Sequence, residues 1–341
     1  MAAPTPLDAA PATVRRTPPK PVLLVGLTAG LGVILAVLLM LFIMPSLKSG
    51  AHNLPIGLAG PSSAVTQVEE DLDAAAPGAY TTQAFASEAA LRDAVLDRDV
   101  VGGIVVKEGG VDEGGVHALV AGAGSTAISA TISGTAQSLA QKAGTTAEIE
   151  DVVPLPESDP TGVGIGGLAF PLVFGGIVPA VAFRKVFSRN LGWAVGGILA
   201  FAAVGGIVVA AVLMFLFGSI TTAFWPVAAA MALGIAGLAL PLAGLQEVFG
   251  GKGFTIGAMI MMFVGNPLAG IATGGAWLPA GLGAVGQILP PGAAGTLVRS
   301  AAYFGGAGGM TAGLTLAAWV AAGAILLAIG ARRTRLPATS R

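Results

Sequence analysis

Six long apolar runs and one mixed stretch divide this chain. The runs are Val22 to Met44, Gly162 to Phe183, Trp193 to Phe217, Ala223 to Leu245, Phe254 to Thr273 and Met310 to Ala331. A bilayer core about 30 Å thick is crossed by roughly 20 apolar residues in helix, so the pattern predicts six membrane helices. The first run exceeds the apolar core of about 7 to 15 residues usual in a cleavable leader. It also ends in MPSLKSG, which predicts an uncleaved anchor.

Between the first two runs the period changes. PIGLAG, YTTQAFA, VVGGIVV, VHALVAG and EIEDVVPL read as strands, and the first two are separated by Val65, Val68 and Leu72 at helical spacing, with Pro77 and Gly78 as a stop. SEAALRDAVLDRD predicts a short helix capped by Ser87, and a further helix is expected from Ser125 to about Lys142. A turn rich in glycine and acids joins VVGGIVV to VHALVAG. The expected fold is a polytopic α-helical membrane protein with six transmembrane helices and an extracytoplasmic α/β domain, residues 50 to 160, inserted between helices 1 and 2.

Composition sharpens the division. The chain is 54% hydrophobic and 10% charged, against about 25% charged in ordinary soluble domains. Sixteen of the eighteen acids lie between residues 50 and 160, and after Asp159 only Glu247 remains. The basic residues flank the apolar runs instead: Arg15, Arg16 and Lys20, then Arg184, Lys185 and Arg189, then Lys252, then Arg332, Arg333 and Arg335. Lys and Arg beside short spans stay cytoplasmic. The expected layout is therefore a cytoplasmic tail at 1 to 20, a helix at 21 to 45, the outer domain, a five-helix domain at 162 to 331 and a cytoplasmic tail at 332 to 341, in the plasma membrane.

Motifs for chemistry are sparse. The absence of cysteine excludes disulfides and thiolate metal sites. GVGIGG at 162 to 167 has the spacing of a dinucleotide fingerprint but opens a membrane run instead of following a strand, so close helix packing is the expected role. VFGGKGF lacks two positions of a phosphate loop, with Gln246 and Gly253 where Gly and Ser or Thr belong. His52 and His117 stand far apart without evident partners and are expected to be structural. No catalytic residue, metal, cofactor or nucleic-acid partner is expected, and the spans lack the ionisable groups that ion-coupled transporters place in the membrane. Gly192 with Gly196 and Gly305 with Gly309 have the spacing for close helix contact.

The stretch between Thr273 and Met310 is too apolar for a solvated loop. Pro279, Pro290 and Pro291 cut it into short pieces, which fits re-entrant or interfacial half-helices and predicts a re-entrant segment at 276 to 304. Arg299 is expected near the outer interface, snorkelling to water or lipid phosphate, or gating against a headgroup or an acid of the outer domain.

One span, an outer α/β insert opening with LPIGLAGP and containing VVGGIVV, five further spans, a basic inner connector and a final LPPGAAGTLVRSAAYF resemble the type-2 ABC exporter permeases, on the branch that includes the YhgE/Pip-like proteins. The resemblance implies a homodimeric or heterodimeric permease among membrane lipids. A separate ABC ATPase subunit would power export of a lipid, glycolipid, drug or peptide. It places a coupling helix at Ala182 to Asn190, with Arg184, Lys185 and Arg189 exposed, and a second inner contact at Glu247 and Lys252. The alternatives are a surface receptor or scaffold acting through the outer domain, and an accessory subunit of another envelope transporter.

Overall fold

A computed structural model describes residues 19–107 and 115–335. Arg15 and Arg16, the turn rich in glycine and acids, and the end of the C-terminal tail lie outside the described residues, as does the side chain of Arg335.

Helix α1 (Lys20–Leu47) leads into the module. There β1 (Leu54–Ala59), α2 (Ser62–Ala75), β2 (Tyr80–Phe85), α3 (Glu88–Leu96), β3 (Gly102–Val106), β4 (Val116–Val120), α4 (Thr126–Lys142) and β5 (Ala147–Asp151) follow. The sheet order is β2-β1-β3-β4-β5. All neighbouring strands are parallel except β3 and β4, which pair antiparallel with Ile104 opposite Ala118. Leu54, Ile56, Ile104 and Val106 face α2 and α4, meeting Val68, Leu72, Ile128 and Ile132. On the other face Val105 and Leu119 meet Leu91 and Val95 of α3. The paired glycines Gly57 and Gly103 make room for α3: a Cβ on Gly103 would lie 2.7 Å from the Leu91 side chain. Burial of branched side chains on both faces is what holds such a sheet together in water.

The second region is helical. A one-turn helix α5 (Val163–Gly166) precedes α6 (Ala169–Val186), α7 (Leu191–Ala211, continued by a π turn to Leu216), α8 (Phe224–Ile260, likewise continued to Gly265), α9 (Leu282–Ile288), α10 (Pro290–Tyr303) and α11 (Met310–Arg335). Among the described residues five helices are long and apolar enough to cross a membrane: Lys20–Leu47, Val163–Val186, Leu191–Leu216, Phe224–Gly265 and Met310–Arg333. The chain is thus a membrane protein carrying an α/β module.

The fourth of these is folded on itself. Gly250 has φ 68 and ψ −160, which only glycine adopts freely. A Cβ on Gly257 would lie 2.6 Å from Leu245, although twelve residues of straight helix span about 18 Å. The expected separate span from Phe254 to Thr273 therefore takes another form. A short arm returns from Gly251 to Gly265, and turns follow, because Pro267 has no amide hydrogen to donate and Gly270 and Gly274 have positive φ.

Helix α11 runs alongside the first arm of α8 in the same direction. Gly237 meets Leu316, Gly244 meets Leu326 and Gly323 meets Leu240. The ends of α1, α7 and α10 and the starts of α8 and α11 thereby gather beside the module. Val186, Gly250 and Arg335 lie at the remote end of the bundle.

Candidate functional site

The joint between module and bundle is built on the broken segment after the returning arm. Leu289 precedes two prolines and takes the extended conformation that this position demands (φ −84, ψ 145). Pro290 and Pro291 then occupy the first positions of α10, where a missing amide hydrogen costs nothing. Gln287 secures the break, accepting from Thr296 Oγ1 at 2.6 Å and donating to the Ala269 carbonyl at 3.2 Å. Helix α10 is buried along most of its length between α8 and α11, whereas Pro279 sits half-buried in the preceding turn.

Arg299 lies on this buried helix, only 6% exposed. It donates from Nη1 to the Ala123 carbonyl of the module at 2.7 Å and from Nη2 to the Ile271 carbonyl. This corrects the expectation of a snorkelling side chain. Helix α10 is covered by the module there, so the guanidinium is satisfied by backbone carbonyls and is paired with no acid among the described residues. A second arginine that the sequence did not single out, Arg98, stacks over Phe304 with 4.8 Å to the ring centroid. Burial lowers its pKa, and its Nη1 has no hydrogen-bond partner. It lines a cavity of about 110 Å³ with Ser125, Gly274 and Phe304.

Further ties are side chain to backbone. Ser125 caps α4 by accepting from Ile128 at 3.3 Å and donates to the Thr273 carbonyl at 2.5 Å. Tyr303 donates to the Ser219 carbonyl and Ser158 to the Gly218 carbonyl, at 2.8 and 2.7 Å. His52 is paired with the Leu278 carbonyl. Asp159 accepts from Val163 and Gly164 at 2.8 Å each, which caps the GVGIGG turn. Trp277 enters one core of the module, while Tyr303 and Phe304 enter the other.

At the remote end the structure gathers three of the five residues expected to couple to an ATPase. Arg184 at the end of α6 pairs with Glu247 at the end of the first α8 arm, and both are largely buried. Arg184, Arg189 and Glu247 line a notch of about 780 Å³ together with Asn190 and Ala331. Lys185 and Lys252 are exposed at the same end but do not line the notch. Beside the joint, an apolar groove of about 610 Å³ runs between the start of α6 and the end of α7, lined by Leu168, Pro171, Val208, Val212 and Leu216, with Ser158, Asp159 and Ser219 at its polar edge.

Of the glycines expected to pack helices, Gly309 alone approaches another helix, where a Cβ would lie 2.9 Å from the Ser300 hydroxyl of α10. Gly196 has open space around its Cβ position, and Gly192 would touch only Asn190. Gly305, with φ 60, and Gly309 lie in the turn after α10, where the chain reverses before α11. Close approach occurs also at Gly234, whose Cβ would lie 2.7 Å from that of Ala294, and at Gly206, which would lie 2.9 Å from the Ala232 nitrogen. Spacing alone does not say which face of a helix meets a neighbour.

The module holds one more constellation. His117 on β4 is flanked by Glu88 of α3 and Glu150 of β5, each carboxylate oxygen 3.4 Å from a ring nitrogen. Arg92 grips Glu150 through both terminal nitrogens at 2.6 Å. Those hydrogen bonds hold the Glu150 pKa below the ordinary carboxylate range and raise that of Arg92. The sequence carried one signal here, the i,i+4 spacing of Glu88 and Arg92.

Comparison with protein-family models, curated proteins and solved structures finds no match.

Proposed function

We propose that this chain is the membrane subunit of an exporter of amphipathic molecules, driven by a separate ATP-hydrolysing partner in the manner of the type-2 ABC exporter permeases. The observation that carries the reading is the notch at the remote end. Residues of both connectors and of the last helix line it, and the basic side chains of Lys185, Arg189 and Lys252 stand exposed at that end. A partner pressing there would move α6, α8 and α11 together, because Arg184 and Glu247 join two of them and Gly330 of α11 lies against Glu247.

The apolar groove with its polar edge supports a substrate with a greasy tail and a polar head. In this reading the returning arm, Gly251–Gly265, is a short sixth crossing of about 22 Å. Both termini lie in the cytoplasm, and the acidic module lies outside the plasma membrane. Helix α1 is exposed to lipid along almost its whole length and touches the bundle through Phe42 against Phe263, which leaves it free to meet a second permease subunit.

The test places a photo-crosslinker at Arg189 and, as a control, at Lys142 of the module. The expected result is an adduct from Arg189 to a chain bearing an ATP-binding loop, none from Lys142, and loss of ATP-dependent export in vesicles on combining Lys185→Glu with Arg189→Glu. Export that needs no ATP, with no such adduct, overturns the reading.

A further inference from the structure

We propose that the outer module carries a binding site for a divalent transition-metal ion, formed by Glu88, His117 and Glu150. One donor atom from each of the three residues can be chosen so that all lie within 4.8 Å of one another. Three elements bring them together. Glu88 is the first residue of α3, held there by the Ser87 cap; His117 projects from β4; and Glu150 stands on the adjoining edge strand β5. The His117 side chain is 9% exposed, and its Nε2 has no hydrogen-bond partner. A buried ring nitrogen without a hydrogen-bond partner, beside a carboxylate, is a ligand position.

The two contacts are to different ring nitrogens, Nδ1 for Glu88 and Nε2 for Glu150, and an ion takes one of them. An imidazolium between two carboxylates draws them to about 2.7 to 2.9 Å, the length of a charge-assisted hydrogen bond. The ring nitrogens here stand 3.4 Å from Glu88 Oε1 and from Glu150 Oε2. With Nε2 and Glu150 as two corners of a zinc tetrahedron, about 3.4 Å apart, the Glu88 side chain, 41% exposed, turns from Nδ1 to supply the third. Two carboxylates and a neutral imidazole carry the charge that a dication balances, and a ligand set of mixed nitrogen and oxygen suits zinc or its first-row neighbours better than magnesium.

The site already holds a cation. Arg92 binds Glu150 through both nitrogens at 2.6 Å and approaches Glu88 to 3.6 Å. Its side chain is 35% exposed, so it can withdraw into water when an ion enters. Arg92 is therefore the competitor of the metal, and this distinguishes a binding site from a static network of charges. An ion here would tie the start of α3 to β5. The far end of α3 leads to Arg98 on Phe304, and β5 leads through Asp151, which accepts from Gly122 at 2.9 Å, towards α5. Both paths end at the joint with the bundle.

The test uses the full chain in detergent, free of any histidine tag and stripped with a chelator, titrated with Zn2+ against a fluorescent zinc indicator. One ion per chain is expected, with Mg2+ failing to displace it. Glu150→Gln and His117→Ala should each weaken binding about tenfold or more, and Arg92→Gln should tighten it, while His52→Ala leaves it unchanged. Glu150 is exposed enough that its variant keeps the fold, so a loss of affinity there is not a loss of structure. Absence of saturable binding, equal affinity in the Glu150→Gln and wild-type proteins, or weakening by Arg92→Gln would each overturn the proposal.

Discussion

The two cores of this molecule are packed differently. In the module most of the wholly buried side chains are large and branched, Leu54, Ile56, Leu58, Ile104, Leu119 and Ile132 among them. In the bundle Leu172, Ile198, Leu213 and Leu316 are buried as completely, but small residues stand between them at the helix contacts, with Ala180, Ala194, Ala210, Ala239, Ala293 and Ala294 fully buried and Gly206, Gly234 and Gly244 against neighbouring helices. The surfaces are inverted to match. Among the described residues of the module only Leu96 is a large hydrophobic side chain left exposed, whereas Leu24, Phe215 and Trp225 of the helical region are 66%, 77% and 69% exposed. The lesson concerns solvent. Water expels apolar surface, so the module gains by burying its largest side chains. Hydrocarbon has no such preference, and helices in it associate through close backbone contact and van der Waals packing, for which small residues are needed.

The sharpest way to break this contrast is to enlarge a small residue in the bundle. Gly234→Leu must push α8 from α10, since even its Cβ would meet Ala294 at 2.7 Å. The expected outcome is loss of a monodisperse species in size-exclusion chromatography, while Gly196→Leu, in open space, elutes as the parent does. If both variants behave alike, close backbone approach does not govern the bundle.

A moderate effect is expected from the opposite change in the module. Ile104→Ala should lower stability by about 2 to 5 kcal/mol, the range for truncating a fully buried branched side chain. Denaturant unfolding followed through Trp277, which packs against that core, reads it out after the other tryptophans are replaced by phenylalanine. A change below about 0.5 kcal/mol, the usual size for a surface substitution, would place Ile104 outside the working core.

The smallest effect lies at the surface, where neither rule applies. The Glu150 pKa is depressed in the folded protein by Arg92, so its contribution to stability is present above the ordinary carboxylate pKa and is lost as pH falls through the folded value. Glu150→Gln should lower the thermal midpoint slightly near neutral pH, where the pair contributes, and leave it unchanged in acid, which flattens the acid limb. An unaltered acid limb would show that the pair does not contribute.

Much of this division was legible along the chain. Short continuous apolar runs in VVGGIVV and VHALVAG, helical spacing in Val65, Val68 and Leu72, and the caps Ser87 and Ser125 all mark elements that form where local chemistry asks for them. Pro290 and Pro291 likewise announce the start of α10, because a residue before proline avoids the helical region and proline tolerates the first turn. The candidate site was legible only in part. Arg184, Arg189 and Glu247 stood out as rare charges beside apolar runs, yet their convergence on one notch depends on α6 and α8 ending side by side.

The amino-acid order by itself determined where apolar helix, amphipathic helix and strand arise, because those depend on the period of side chains over a few residues. Only the tertiary structure decided that Arg299 is buried against carbonyls, that Gly234 and not Gly196 meets a neighbour, that the helix after Phe224 doubles back at Gly250, and that His117 stands between two carboxylates. Each of these rests on which face of one element meets another far along the chain. No local period encodes that choice; the packing of the whole molecule makes it.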